Sequence, residues 1–163
     1  MDPDAIIQYI RDTFPDVEVF TATEGLPAGD TFFMYDPDQR LDPQHRFPFA
    51  TIVTKDYGEF DRASSLDRAG VFRLNVGVSR ETYRSLFGPQ PSPPASGGVV
   101  GTGHDFAALD QLLPHPVYAP QSWVCVLNPS PQTFEAVKPL LAEAYDRAVR
   151  RHAQGQTTRE AEA

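Results

Sequence analysis

The chain has 163 residues, of which 40% are apolar and 11% aromatic, and this size and composition suit one globular domain with a hydrophobic core. Its formal charge of -8, from 22 acidic and 14 basic side chains, disfavours binding to nucleic acid and to anionic membranes. One cysteine excludes an intramolecular disulfide framework, and no apolar run approaches the roughly 18 residues of a membrane span. The acidic start MDPDAIIQYIRD lacks the basic segment of a signal peptide, so we expect a cytoplasmic protein.

The first elements along the chain are a helix and a strand pair. Asp2 or Asp4 can cap the helix, whose apolar residues recur at helical spacing, and Pro15 should end it. Residues 17–23 and 31–35 are typical of strands, and the segment between them is rich in turn residues. This order predicts an antiparallel hairpin.

Two further strands and a late one follow. Residues 49–54 are apolar enough for a third strand, and residues 71–78 alternate in polarity as a fourth. The alternation places Arg73 and Asn75 together on the polar face of that fourth strand. Residues 122–127 are apolar on both faces, which indicates a central or covered strand.

Helices are predicted around these strands. Ser79 can cap a short helix that ends at Gly88, and Asp105 can cap another over residues 106–113. Pro131 suits the first position of a C-terminal helix, which Pro139 should kink or divide.

These elements predict an α+β domain, a mostly antiparallel sheet of about five strands packed by N- and C-terminal helices. We expect one domain over residues 1–152, with a mobile loop at 89–103, where proline and glycine dominate. Residues 153–163 should form a polar C-terminal tail that is frayed from His152 onward.

Three blocks of sequence carry a resemblance to known families. They are FATIVTKDYGEFDRASSLDRAGVFRLNVGVSRETYRSLFG (49–88), ALDQLLPHPVYAPQSWVCVLNPS (108–130) and AEAY in the closing helix. The chain resembles a family of small actinobacterial proteins of unknown function. Its order of elements also resembles the MmcQ/YjbR proteins, which implies a CyaY-like fold and a DNA-binding surface. Because such surfaces are basic and this chain is acidic, DNA binding is disfavoured.

The basic stretch at residues 62–84, with five arginines and two acids, is the first candidate site. A guanidinium beside an amide, as Arg73 and Asn75 present, recognises a carboxylate or phosphate. The alternative is that Arg73 is solvent-exposed or pairs internally with an acid, which would be Asp56, Asp61 or Asp67. The charged turn after the third strand would form one rim of the anion pocket, with Tyr57, Asp61, Arg62 and Arg68.

His115 is the second candidate, because prolines on both sides fix the direction of its backbone. A histidine near neutrality suits general acid/base work, and Tyr118 and Trp123 follow it closely. The alternative is a structural histidine whose ring bonds a backbone carbonyl. Whether His115 and Arg73 share a pocket depends on the last strand lying beside the fourth.

No cofactor or metal site is expected. Nucleotide-binding, serine-hydrolase and zinc motifs are absent from the sequence. The histidines show no ligand spacing and are His45, His104, His115 and His152. Cys125, between two valines, should be an inert core thiol.

Three functions follow, and no oligomeric state is specified. The leading one is a module that binds an anionic small molecule or a protein segment. The second is a cofactor-independent enzyme with His115 as acid/base and an acidic substrate. DNA binding is third.

Overall fold

A computed structural model describes residues 1–40, 47–95 and 98–162 of the chain. His45 lies outside the described residues, as do Ser96 and Gly97 of the loop 89–103. The elements in chain order are α1 (Pro3–Thr13), β1 (Val17–Thr21), β2 (Thr31–Tyr35), β3 (Ala50–Val53), β4 (Arg73–Gly77), α2 (Arg80–Phe87), β5 (Leu112–Pro114), β6 (Trp123–Leu127) and α3 (Pro131–Glu162).

The strands form one six-stranded sheet in the order β1-β2-β3-β4-β6-β5, and every neighbouring pair is antiparallel. This confirms the α+β class. The connection after α2 crosses to the outer edge as β5 and returns inward as β6, which therefore lies directly beside β4. Asn75 consequently pairs with Cys125, and Arg73 with Leu127.

The additional strand replaces a predicted helix. The expectation of a helix over residues 106–113 is wrong, because Leu112 and Leu113 pair with β6 instead. Asp105 does accept a hydrogen bond from the Ala107 amide at 3.1 Å, but the turn that it stabilises does not continue as a helix. A pair of adjacent leucines fits a helix or a strand equally well, and only contact with β6 decides.

The helix ends follow the sequence closely. Asp2 caps α1, accepting from the Ala5 amide at 2.8 Å, and Ser79 caps α2, accepting from the Thr82 amide at 3.0 Å. Each such cap contributes about 1 kcal/mol. Pro131 begins α3, which continues through Pro139 as one helix to Glu162 instead of fraying from His152. Residues 153–162 are exposed.

The core lies between the sheet and the helices α1 and α3. Ile6 and Ile10 of α1 and Phe134 and Leu141 of α3 are fully or almost fully buried against the inward residues of the strands. Val100, from the proline-rich connection, is also buried there, and its amide donates to the Pro116 carbonyl at 2.8 Å.

The other face of the sheet is covered by the connection between β3 and β4, residues 54–72. Leu66 of this connection packs on Val53 and Leu127 in a second, smaller core. Within the described residues, no helix is both long and apolar enough to cross a membrane.

Candidate functional site

Arg73 lies on the covered face of β4 and is buried, with 1% of its side chain exposed. Its guanidinium meets the Asp61 carboxylate at two points, Nη1 to Oδ1 at 3.1 Å and Nη2 to Oδ2 at 2.6 Å. The expectation of an internal pair with an acid therefore holds for Asp61. Asp56 and Asp67 instead stabilise the connection 54–72. The Asp56 carboxylate accepts a hydrogen bond from the Leu66 amide, and the Asp67 carboxylate accepts one from the Asp56 amide.

Two further donations from Arg73 go to neighbouring side chains. Nε donates to Oδ1 of Asn75 at 2.8 Å, and Nη1 donates to Oγ of Ser64 at 2.8 Å. Nη2 lies 3.3 Å from Nε2 of His115. The structure thus brings together four residues predicted from the sequence, Arg73, Asn75, Asp61 and His115. These four and Ser64 form one buried group, which we call the polar cluster. Sequence reasoning missed Ser64, since no periodic pattern marks that irregular segment.

His115 is held by its own turn. Its Nδ1 accepts hydrogen bonds from the backbone amides of Val117 at 3.0 Å and Tyr118 at 2.9 Å. The expected partner was a carbonyl, but the ring nitrogen bonds amides instead. Burial lowers the pKa of His115 well below its ordinary value of 6.5, and the charge of Arg73 lowers it further. The ring is therefore neutral, with its proton assigned to Nε2 by the two amides.

The surroundings of His115 leave it closed to solvent. The Tyr118 ring covers it at a centroid distance of 4.9 Å, and Phe60 lies 6.1 Å from Tyr118. Burial raises the pKa of the Tyr118 phenol, and the charge of Asp61 adds to this effect. Neither His115 nor Arg73 lines any of the three cavities of about 430, 540 and 600 Å³. In this arrangement the polar cluster joins β4 to the connection 54–72.

The side chains of the other arginines and of the tyrosine of the predicted rim bind partners other than the side chains of the polar cluster. Arg62 is exposed and pairs with Glu59 at 3.0 Å. Arg68 donates to three backbone carbonyls, those of Ser64, Ser65 and Ala107. Tyr57 bonds Asp30, a buried carboxyl whose pKa burial raises. These contacts shape the loop. Arg68 also lines a cavity of about 600 Å³, where the Asp67 carboxylate on the same wall disfavours an anion.

Cys125 lies on β6 beside the polar cluster, with its Sγ 3.5 Å from the Pro114 carbonyl. It is buried, and burial raises its pKa to about 12. A thiol of that pKa is protonated and unreactive at neutral pH.

Trp123 begins β6 at the opposite end of the sheet and lines a cavity of about 430 Å³, which we call the first cavity. The cavity lies where β4 ends and β3 and β6 begin, and α3 forms one wall. A Cβ on Gly77 would lie 3.1 Å from two indole carbons, so glycine allows Trp123 to lie against β4. The lining residues are Phe47, Pro48, Phe49, Gly77, Gln121, Trp123, Ala144, Arg147, Ala148 and Arg151.

Arg147 and Arg151 give the first cavity its charge. Nη1 of Arg147 donates to the carbonyl of Gly77 at 3.2 Å and also bonds that of Val78. Burial lowers the pKa of Arg147, and the like charge of Arg151 lowers it further. Among the described residues that line this cavity there is no carboxylate. Two cations and three aromatic rings therefore surround a space of the size that small ligands occupy, roughly 300 to 1,000 Å³.

A second cavity of about 540 Å³ continues along α3 towards Arg159. Phe47, Ala148 and Arg151 line both cavities, so the two are contiguous. Across the second cavity, Nε2 of His152 lies 3.2 Å from Oδ2 of Asp38.

Residues 1–158 match the sequence profile of a family of unknown function, DUF6194. The chain belongs to the DUF6194 family. No curated protein and no solved structure matches the chain of this DUF6194 protein. The likeness of its element order to the MmcQ/YjbR proteins remains a prediction.

Sequence reasoning about the DUF6194 chain missed the arginines of α3, although their spacing was visible. Arg147 and Arg151 are four residues apart and so lie on one side of a helix. Of the predicted ligand-binding residues, Trp123 alone lines the first cavity. Among the residues that the structure describes, no group of three or more His, Cys, Asp or Glu side chains could hold a metal ion.

Proposed function

We propose that this DUF6194 protein is a cytoplasmic domain that binds an anionic small molecule in the first cavity. The observation that carries the proposal is the pair Arg147 and Arg151, which faces Trp123 across a space without a carboxylate on its described walls. Like charges one helical turn apart repel each other, so an anion between them would relieve that cost. Guanidinium groups bind carboxylates and phosphates through charge-assisted hydrogen bonds.

The net charge of -8 does not oppose such binding at close range. Many of the acids lie within residues 1–30, and at physiological ionic strength charges separated by more than about 8 Å are largely screened. Arg147 is half-buried and is therefore screened less, whereas Arg151 is exposed at the mouth of the cavity. The charges that line the cavity therefore influence ligand binding more than the net charge of the chain does.

The polar cluster is a weaker candidate for the same function. Arg73 already binds a carboxylate, that of Asp61, and its other donors face Asn75, Ser64 and His115. An incoming anion would have to displace a buried ion pair, whose disruption costs about 3 to 5 kcal/mol. We therefore place the anion site that the sequence led us to expect at Arg73 in the first cavity instead, at the arginines of α3.

A thermal-shift screen against carboxylates, phosphates and mononucleotides tests the proposal, because a ligand that binds only the native state raises the melting temperature. Arg151→Ala should abolish the shift, because Arg151 lines both cavities, and it should leave the fold intact, because among the described residues its side chain forms no hydrogen bond or ion pair. Arg150→Ala is the matched control, because Arg150 is exposed on the same helix and lines neither cavity. A shift that survives Arg151→Ala would place the site elsewhere. Silence across the screen would favour a protein segment as the ligand.

A further inference from the structure

We infer that the ligand carries two anionic groups joined by an apolar body and spans both cavities. This inference rests on the proposed function and names the class of molecule that the site takes. It depends on the second cavity, on the spacing of arginines along α3, and on one glycine in that helix.

The two cavities form one groove because Phe47, Ala148 and Arg151 line both. Trp123, Phe47 and Phe49 make the first cavity apolar around its arginines, which suits a planar or aromatic body. A single small anion would fill the first cavity alone. The continuation of about 540 Å³ provides room for a longer molecule.

Positive charge recurs along the whole groove. Arg147, Arg151 and Arg159 all line the groove from α3. At about 100° per residue, Arg151 lies about 40° and Arg159 about 120° around the helix axis from Arg147, and the three extend about 18 Å along that axis. Arg40 faces the same second cavity from the turn after β2.

Two carboxylates also line the second cavity, and both already have partners. Oδ2 of Asp38 accepts from Nε2 of Gln156 at 3.2 Å and lies as close to Nε2 of His152. Oδ1 of Asp36 accepts from the Arg40 amide at 3.0 Å. The side chains of Arg40 and Arg159 face the cavity without an ion pair among the described residues. They are therefore available for a second anionic group.

Gly155 lies midway along α3 between Arg151 and Arg159 and lines the second cavity. Glycine in a helix interior is disfavoured relative to alanine, and here a Cβ would meet nothing within 4 Å. Packing within the protein therefore does not require a glycine at this position. The missing side chain of Gly155 leaves open space in the second cavity, between Arg151 and Arg159, which would bind the ends of a ligand.

The test compares two compounds by calorimetric titration of the full chain, the para,para′-dicarboxylate of biphenyl and its monocarboxylate. They share the apolar body and differ only in the second anionic group. We expect the dicarboxylate to bind about tenfold more tightly, the factor that one charge-assisted hydrogen bond contributes. Arg159→Ala should reduce this advantage, because Arg40 alone would then face the second anionic group, and should leave monocarboxylate binding unchanged. Gly155→Ala should also reduce the advantage, while raising the melting temperature through its better helix propensity.

The outcomes separate this inference from the function on which it rests. Equal affinity for the two compounds in the wild type, or an advantage that persists in Arg159→Ala, would overturn the inference and leave the first cavity as an anion site. Failure of both compounds to bind would contradict the proposed function and the inference together. Arg150→Ala, as the control, should bind both compounds as the wild type does.

Discussion

Arg73 and Asp61 form a buried two-point ion pair between β4 and the irregular connection that covers the sheet. The pair explains why a strand with a polar second face is buried on both sides. Asn75 and Ser64 accept hydrogen bonds from Nε and Nη1 of Arg73, and His115 packs beside its Nη2. The connection 54–72 is thereby fixed to the sheet by polar contacts as well as by Leu66.

Arg73→Ala should lower the free energy of unfolding by about 3 to 5 kcal/mol, because it leaves the Asp61 carboxylate buried and unpaired. Urea denaturation measures the difference. Arg62→Ala removes an exposed pair with Glu59 and should change stability by less than about 1 kcal/mol. Similar losses in the two variants would show that the Arg73–Asp61 pair does not hold the connection in place.

The depressed pKa of His115 predicts a loss of stability in mild acid. The unfolded histidine takes up a proton near its ordinary value of 6.5, whereas the buried ring does so only at much lower pH. Below about pH 6.5 the unfolded state therefore binds more protons, and stability falls by up to about 1.4 kcal/mol per pH unit until the folded pKa is reached. Above about pH 6.5 the histidine is neutral in both states, so its contribution to stability no longer changes with pH.

Denaturation curves collected from pH 8 down to pH 5 measure this slope. His115→Asn places an amide oxygen near the position of Nδ1, so the Val117 and Tyr118 amides keep an acceptor while the titrating group is removed. The variant should show a shallower loss of stability towards acid. An unchanged slope would mean that another group causes the pH dependence.

Gly77→Ala should displace the indole of Trp123, because the new Cβ would lie 3.1 Å from two of its carbons. Trp123 is the sole tryptophan, so its emission spectrum reports the displacement directly. Gly101→Ala is the control, since a Cβ there meets nothing within 4 Å and should leave the emission unchanged. Identical spectra for Gly77→Ala and the wild type would show that Trp123 does not depend on this glycine.

Most of the fold could be predicted because its signals are local. The caps Asp2 and Ser79, the alternation in β4 and the proline at the start of α3 each act within a few residues. β5 could not be predicted in this way. It has three residues, and its pairing with β6 forms across a turn that the sequence does not mark.

The candidate site was less predictable, because it depends on contacts between distant segments. The sequence allowed three acids to pair with Arg73, and Asp61 does so because the connection 54–72 folds over β4. His115 reaches Arg73 because β6, which follows its turn, lies beside β4. The arginines of α3 are the opposite case, since their four-residue spacing was a local signal.

A fluorescence titration of Trp123 tests the central claim most directly, because this side chain lines the first cavity. The protein would be titrated with benzoate and with phenyl phosphate, and the same titrations repeated on Arg151→Ala and Arg150→Ala. The account predicts a saturable change in the wild type and in Arg150→Ala, weakened by about tenfold or more in Arg151→Ala. No saturable change in the wild type, or equal affinity in Arg151→Ala, would contradict it.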